Sequence, residues 1–158
     1  MSRPTATEEE PMPTTPGWIN AERDFAEPPE ARVDFPYWQG LGRGELLIQR
    51  CESCAAWQWP ADWRCPKCGG YDLGWQRVEP VGSVYTWIRT HHPFVAAYAD
   101  LVPYVNVLVE LDGADGARLM GLLTGEEEGL TTGAAVRGEF QPASARTIGL
   151  PVLTWSLA

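Results

Sequence analysis

The sequence predicts a mainly β protein in two parts, a four-cysteine ribbon followed by a small closed barrel. Three observations carry this expectation. The cysteines come as two close pairs within CESCAAWQWPADWRCPKC at 51–68. The hydrophobic period switches to two after residue 80. Glycine-rich turns then recur between short apolar runs, with no strong helical period among them.

Residues 1–17 hold Pro4, Pro11, Pro13 and Pro16 beside a run of three glutamates. Such a composition buries too little apolar surface to offset its ordering entropy, so a disordered arm is expected. Residues 18–47 carry scattered aromatics, and Pro28, Pro29 and Pro36 limit helices there to short pieces, at 18–25 and 36–40. Residues 48–79 form the ribbon and 80–158 the barrel. In VYTWIRT, Val84, Thr86 and Ile88 share one face and Tyr85, Trp87 and Arg89 the other. In VNVLVEL, Val105, Val107, Val109 and Leu111 line one face against Asn106, Leu108 and Glu110. DGADG at 112–116 is a hairpin turn into ARLMGLL. AAVRGEF alternates with Arg137 and Glu139 outward, and PVLTWSL supplies the last strand. Five such strands predict an OB-type barrel, with a sandwich as its rival. Gly121, Gly125 and Gly138 mark places where bends or bulges let a small sheet curl shut. No internal repeat at a fixed period is found.

The strongest signal is the spacing Cys51-x2-Cys54-x10-Cys65-x2-Cys68. Two residues between paired cysteines let both thiolates of a tight turn face one ion, and two such knuckles complete a tetrahedral set. Four sulfur ligands favour zinc, with iron in a rubredoxin-like site the less favoured occupant. They leave no open position for water or substrate, so the role is structural. Pro66 and Gly69-Gly70 suit the second knuckle, where backbone amides turn toward sulfur. Arg50, Arg64 and Lys67 beside the ligands are expected to offset the thiolate charge. Trp57, Trp59, Trp63 and Trp75 surround the knuckles; they read as packing of the ribbon onto the barrel in preference to base stacking.

Charge argues the same way. The chain carries a net −9, from 21 acidic and 12 basic side chains, and Lys67 is its one lysine. Phosphate binding rests on clustered Lys and Arg, so nucleic acid is not expected as a partner. No apolar run is long enough for a membrane span, and MSRPTATEEE starts acidic where a secretory signal starts basic. A cytoplasmic protein is expected, and in a reducing compartment paired cysteines hold metal more often than disulfides. No catalytic set is apparent. His91 and His92 adjoin each other with no nucleophile motif nearby, neither GxGxxG nor GxxxxGK[ST] occurs, and Glu126, Glu127 and Glu128 read as a solvated loop. Segment 91–104, HHPFVAAYADLVPY, is long for a hairpin and apolar for a loop. It reads either as a lip for an acyl chain or partner protein, or as a loop folded over the barrel mouth.

The order FPYWQGLGRGELLIQRCESC, WRCPKCGG, EPVGSVYTWIRTHHP, VPYVNVLVELD and TTGAAVRGEF, over roughly 33–141, resembles the zinc-ribbon plus OB-fold proteins of acyl-CoA metabolism, a family first described as a domain of unknown function. The family's ribbon motif falls on Cys51, Cys54, Cys65 and Cys68. The resemblance implies a non-catalytic companion subunit that binds a thiolase-like or lipid-transfer-protein-type enzyme in a hetero-oligomer, with acyl-CoA as a possible ligand. Its narrowest form is a steroid side-chain aldolase complex, a carbon–carbon lyase. Partner or acyl contacts are then expected at Phe35, Tyr37, Trp38, His91, Phe94 and Tyr104. Arg43, Arg77 and Arg89 are the arginines weighed for coenzyme A phosphates, with none preferred. The rivals are a single-stranded nucleic-acid or protein-binding ribbon and barrel module, which the acidic charge disfavours, and a free-standing enzyme, which lacks named catalytic residues.

Overall fold

A computed structural model describes residues 31–94 and 98–158. The expected arm at 1–17 and helical piece at 18–25 lie outside the described residues. Pro36 occupies the first turn of helix α1 (Phe35–Gly42), where a missing amide costs nothing. The helix is longer than the piece expected at 36–40, and it buries Tyr37 and Leu41.

Eight strands follow among the described residues: β1 (Leu46–Cys51), β2 (Trp57–Gln58), β3 (Leu73–Val78), β4 (Val81–Thr90), β5 (Tyr104–Leu111), β6 (Arg118–Leu122), β7 (Ala135–Gln141) and β8 (Val152–Leu157). They form a three-stranded sheet in the order β2-β1-β3 and a five-stranded sheet in the order β6-β5-β4-β7-β8. A parallel bridge from Leu123 to Trp155 brings the end of β6 onto β8 and curls the second sheet into an OB-like barrel. The sandwich alternative is thereby set aside.

The barrel core is built by the alternation the sequence shows. Val105, Val107, Val109 and Leu111 of β5 are all buried, with Leu119, Val136 and the wholly enclosed Trp155. Burying each aliphatic side chain contributes roughly 1.5–3 kcal/mol. Arg137 and Glu139 face outward as expected.

Strand β4 departs from simple alternation. Its first residues, Val81 to Ser83, pair with β7 on one side while β5 runs along the whole strand on the other. At Gly82 the backbones approach so closely that a Cβ would collide with the Glu110 carbonyl oxygen. A bulge between Val84 and Thr86 then shifts the register. Beyond it β4 has only β5 beside it, and residues 85–89 are exposed on both faces. Gly82 and the bulge are thus bends beyond the glycines singled out in the sequence. Of those glycines, Gly138 donates its amide to the Pro80 carbonyl at 2.7 Å, and Gly121 lets β6 approach β8, where a Cβ would sit 2.9 Å from the Leu153 carbonyl oxygen.

Candidate metal centre

Strand β1 ends at Cys51, so the first knuckle grows directly from a three-stranded sheet. A loop then crosses from β2 to the second knuckle and is tied back to β1 by one buried side chain. Gln49 donates through Nε2 to the Asp62 carbonyl at 3.0 Å and accepts the Asp62 amide through Oε1 at 3.0 Å. This pair of bonds places Trp63 and Arg64, and so the start of the second knuckle.

The four sulfurs of Cys51, Cys54, Cys65 and Cys68 all lie within 4.8 Å of one another. Two pairs are closer, Cys51 to Cys68 at 3.6 Å and Cys54 to Cys65 at 3.7 Å. A disulfide needs about 2.05 Å, so these are separate thiols. A tetrahedral ion with sulfurs at about 2.3 Å sets its ligands about 3.8 Å apart. The donor set therefore fits a four-thiolate metal ion. Cys51 and Cys65 are enclosed, Cys54 is half-buried and Cys68 is at the surface.

Backbone amides aim at the sulfurs. The amides of Cys68 and then Lys67 hold the Cys65 thiol down at about 6 against the cost of burial. At Cys54 the Ala56 amide pulls downward, but burial and the neighbouring thiols of Cys68, Cys51 and Cys65 prevail and push it up to about 11. A cluster that favours the thiolate at Cys65 and disfavours it at Cys54 needs a cation to become fully ionised.

The tryptophans divide. Trp57, Trp59 and Trp75 pack against the core cluster, whereas Trp63 is 65% exposed. Trp59 also meets Tyr37 at 4.4 Å between ring centroids, and Tyr37 meets Trp38 edge-on at 5.0 Å. Helix α1 is thus fastened to the ribbon by three rings. Burial, with the Asp34 carboxylate, pushes the Tyr37 hydroxyl far above its ordinary range.

The residues expected to meet a partner or an acyl group fall in several places. Tyr37 is buried. Trp38, held by a 2.9 Å bond from Nε1 to Asp34 Oδ2, lines a cleft of about 310 Å³ with Tyr98, Met120 and Arg146. Phe35 lies in a different groove beside Trp63 and Tyr71. Tyr104 stacks edge-on with Tyr98 at 5.7 Å, and Phe94 is exposed with His92 against it at 5.1 Å. Residues 95–97 of the expected lip lie outside the described residues. The remainder is joined to the 142–151 loop by a bidentate pair, Arg146 to Asp100 at 3.0 and 2.8 Å. That bond holds the Asp100 carboxyl below its ordinary range.

Sequence reasoning did not single out the groove formed by Trp87, Ile88 and Met120 with Asn106 and Leu108. The signal was an apolar pair on strand β4, hidden because the bulge exposes residues that alternation assigns to opposite faces. Arg43, Arg77 and Arg89 are each engaged with carboxylates, at Glu45, at Glu45 and Glu79, and at Glu127. No helix among the described residues is long and apolar enough to cross a membrane.

Comparison with known proteins agrees with this geometry. Residues 38–74 match the family model for the ChsH2 rubredoxin-like zinc ribbon domain, and residues 75–141 match that for the ChsH2 C-terminal OB-fold domain. The solved structure described as an Ltp2-ChsH2(DUF35) aldolase contains a chain similar to this one, with a TM-score of 0.68 and 28% identity, covering 80% of this chain and 94% of that one. A DUF35 protein of unknown function from Sulfolobus solfataricus shares the fold at a TM-score of 0.57 and 14% identity, covering 81% of this chain and 87% of that one. In sequence, 100 residues are 38% identical to a Thermomonospora curvata protein named "Probable enoyl-CoA hydratase alpha subunit". The match takes in 61% of this chain but 30% of that protein, so the chain spans less than a third of this curated relative. With the two domain models matched one after the other over residues 38–141, the chain belongs to the ChsH2 family of zinc-ribbon and OB-fold proteins.

Proposed function

We propose that this chain is the accessory subunit of a hetero-oligomeric enzyme of acyl-CoA metabolism. In its narrowest form the complex is an aldolase, a retro-aldolase cleaving a steroid side-chain hydroxyacyl-CoA on a thiolase-like, lipid-transfer-protein-type partner. The observation that carries the reading is the likeness to the chain of the Ltp2-ChsH2(DUF35) aldolase over 94% of that chain's length. The site supports it. Four thiolates around one ion leave no open coordination position, which suits a structural metal in a subunit whose partner carries the reaction.

Cys51, Cys54, Cys65 and Cys68 hold zinc in this reading, with iron the less favoured ion. The metal supplies a rigid crosslink between the two knuckles and nothing to the reaction. Tyr85, Trp87, Ile88, Phe94 and Met120 are large apolar side chains exposed on or beside the outer barrel face. Grouped exposed side chains of this size mark an interaction surface, and a partner enzyme is the cover proposed.

The test is co-expression with a thiolase-fold enzyme from the same genome, followed by size-exclusion chromatography and an assay of hydroxyacyl-CoA cleavage. A stoichiometric complex with cleavage absent from either protein alone is expected. Absence of a complex, or turnover by the isolated chain, defeats the reading.

A further inference from the structure

The two knuckles share more than their cysteine spacing, although no repeat at a fixed period runs through the chain. RCESCAAW at 50–57 and RCPKCGGY at 64–71 place an arginine, two cysteines and an aromatic ring at the same relative positions. Their bonds coincide as well. In the first segment the Cys51 amide donates to the Ala56 carbonyl at 2.9 Å and the Ala55 amide to the Cys51 carbonyl at 2.8 Å. In the second the Cys65 amide donates to the Gly70 carbonyl and the Gly69 amide to the Cys65 carbonyl, each at 2.8 Å. The residue after the second cysteine is left-handed both times, with φ of 57° at Ala55 and 75° at Gly69.

Across each turn lies the arginine that precedes it. Arg50 donates from Nε to the Ala55 carbonyl at 3.1 Å, and Arg64 from Nε to the Gly69 carbonyl at 2.9 Å. The Arg50 guanidinium stands 5.0 Å from the Trp57 ring centroid, and that of Arg64 stands 5.6 Å from the Tyr71 ring. Arg50 is held a third time, by Nη1 to Gln76 Oε1 at 3.0 Å. At Gly69 the packing is tight enough that a Cβ would sit 2.8 Å from Arg64 Nη2. A planar guanidinium can donate along its edge and stack through its face at once, which an ammonium cannot.

We infer that Arg50 and Arg64 are positioning residues for the metal, one strap per knuckle, each holding the left-handed turn in the form that presents its two thiolates. The inference rests on the reading that the four cysteines hold zinc. A left-handed alanine is disfavoured in a free chain, so the first knuckle needs an outside restraint more than the glycine of the second does.

The experiment compares zinc transfer from the full chain to an excess of a chromophoric chelator in the parent, Arg50→Gln, Arg64→Gln, Arg50→Lys and Arg64→Lys proteins. Visible spectra of the cobalt-substituted forms report whether four-thiolate binding persists. The glutamine variants are expected to bind one equivalent with the parent spectrum and to release zinc about tenfold faster. The lysine variants are expected to regain less than half of that difference, in low salt and high salt alike. Release within twofold of the parent in both glutamine variants overturns the inference. So does full rescue by lysine, which assigns the effect to charge without the strap. If a glutamine variant fails to take up cobalt, the lysine variant at the same position decides between these outcomes. A parent protein that binds no zinc or cobalt overturns the metal reading itself, and the straps with it.

Discussion

Replacing Gln49 by leucine tests how the ribbon positions its second knuckle. The side chain is 3% exposed and makes two 3.0 Å bonds to the backbone of Asp62. Leucine has nearly the same volume, so the change removes the bonds without opening a cavity. Each lost bond costs about 1 kcal/mol, with more for any partner left dry. Asp62 is exposed, so water recovers part of that loss. The sum is about 2 kcal/mol, close to thirtyfold in an equilibrium. For a chain of this size the midpoint of thermal unfolding should fall by about 4–8 °C. Urea denaturation at fixed free zinc, followed by tryptophan fluorescence, gives the free energy. Alkylation of the metal-free protein gives the local effect, faster modification at Cys65 and Cys68 than at Cys51. A stability change below about 0.5 kcal/mol, with unchanged alkylation, would refute the idea that this tie places the knuckle.

Cys54→Ser is expected to drop zinc content well below one equivalent and to release the partner while the barrel keeps its strand signal; an intact, fully loaded complex contradicts the structural role of the metal. Acidification should strip the ion. The bound form carries fewer protons than the free thiols, so affinity rises with pH and falls as pH drops. With Cys65 at about 6 in the metal-free cluster, loading is expected to collapse over roughly pH 6 to 4, and a dialysis series with metal analysis checks it. Trp87→Lys changes a side chain that is 40% exposed. Its stability should stay within about 0.5 kcal/mol of the parent, while partner affinity falls at least about tenfold by calorimetry; unchanged affinity moves the interface off this face.

Much of the architecture was legible because it is local. Strand β5 announces its inner face in four consecutive alternating positions, and all four are buried. The cysteine spacing is equally explicit, since a tight turn fixes which sulfurs can meet. Long-range facts were not legible. Nothing in the sequence pairs Gln49 with Asp62, because that tie depends on where the β2 loop returns across β1. The bulge at Val84 and Thr86 reads as ordinary alternation, so the exposure of Trp87 and Ile88 follows only from β4 outrunning β7. The repeat around the knuckles was masked by composition, with Ala55-Ala56 standing where the second copy has Gly69-Gly70. Its shared hydrogen bonds reveal what the letters conceal.

The bridge from Leu123 to Trp155 bears on the order of assembly. Ribbon contacts join strands close in sequence, and an ion held by the four cysteines would tie them further, so the ribbon is suited to form early. The barrel is a ring whose last stave is β8, and during synthesis that strand is the last of the eight to emerge. Until it docks, β6 and β7 each present an open edge with unpaired backbone groups, available to another copy of the chain. The interval between release of β6 and arrival of β8 is therefore when a nascent molecule is most exposed to mispairing, and a slower stretch of translation there would lengthen that risk.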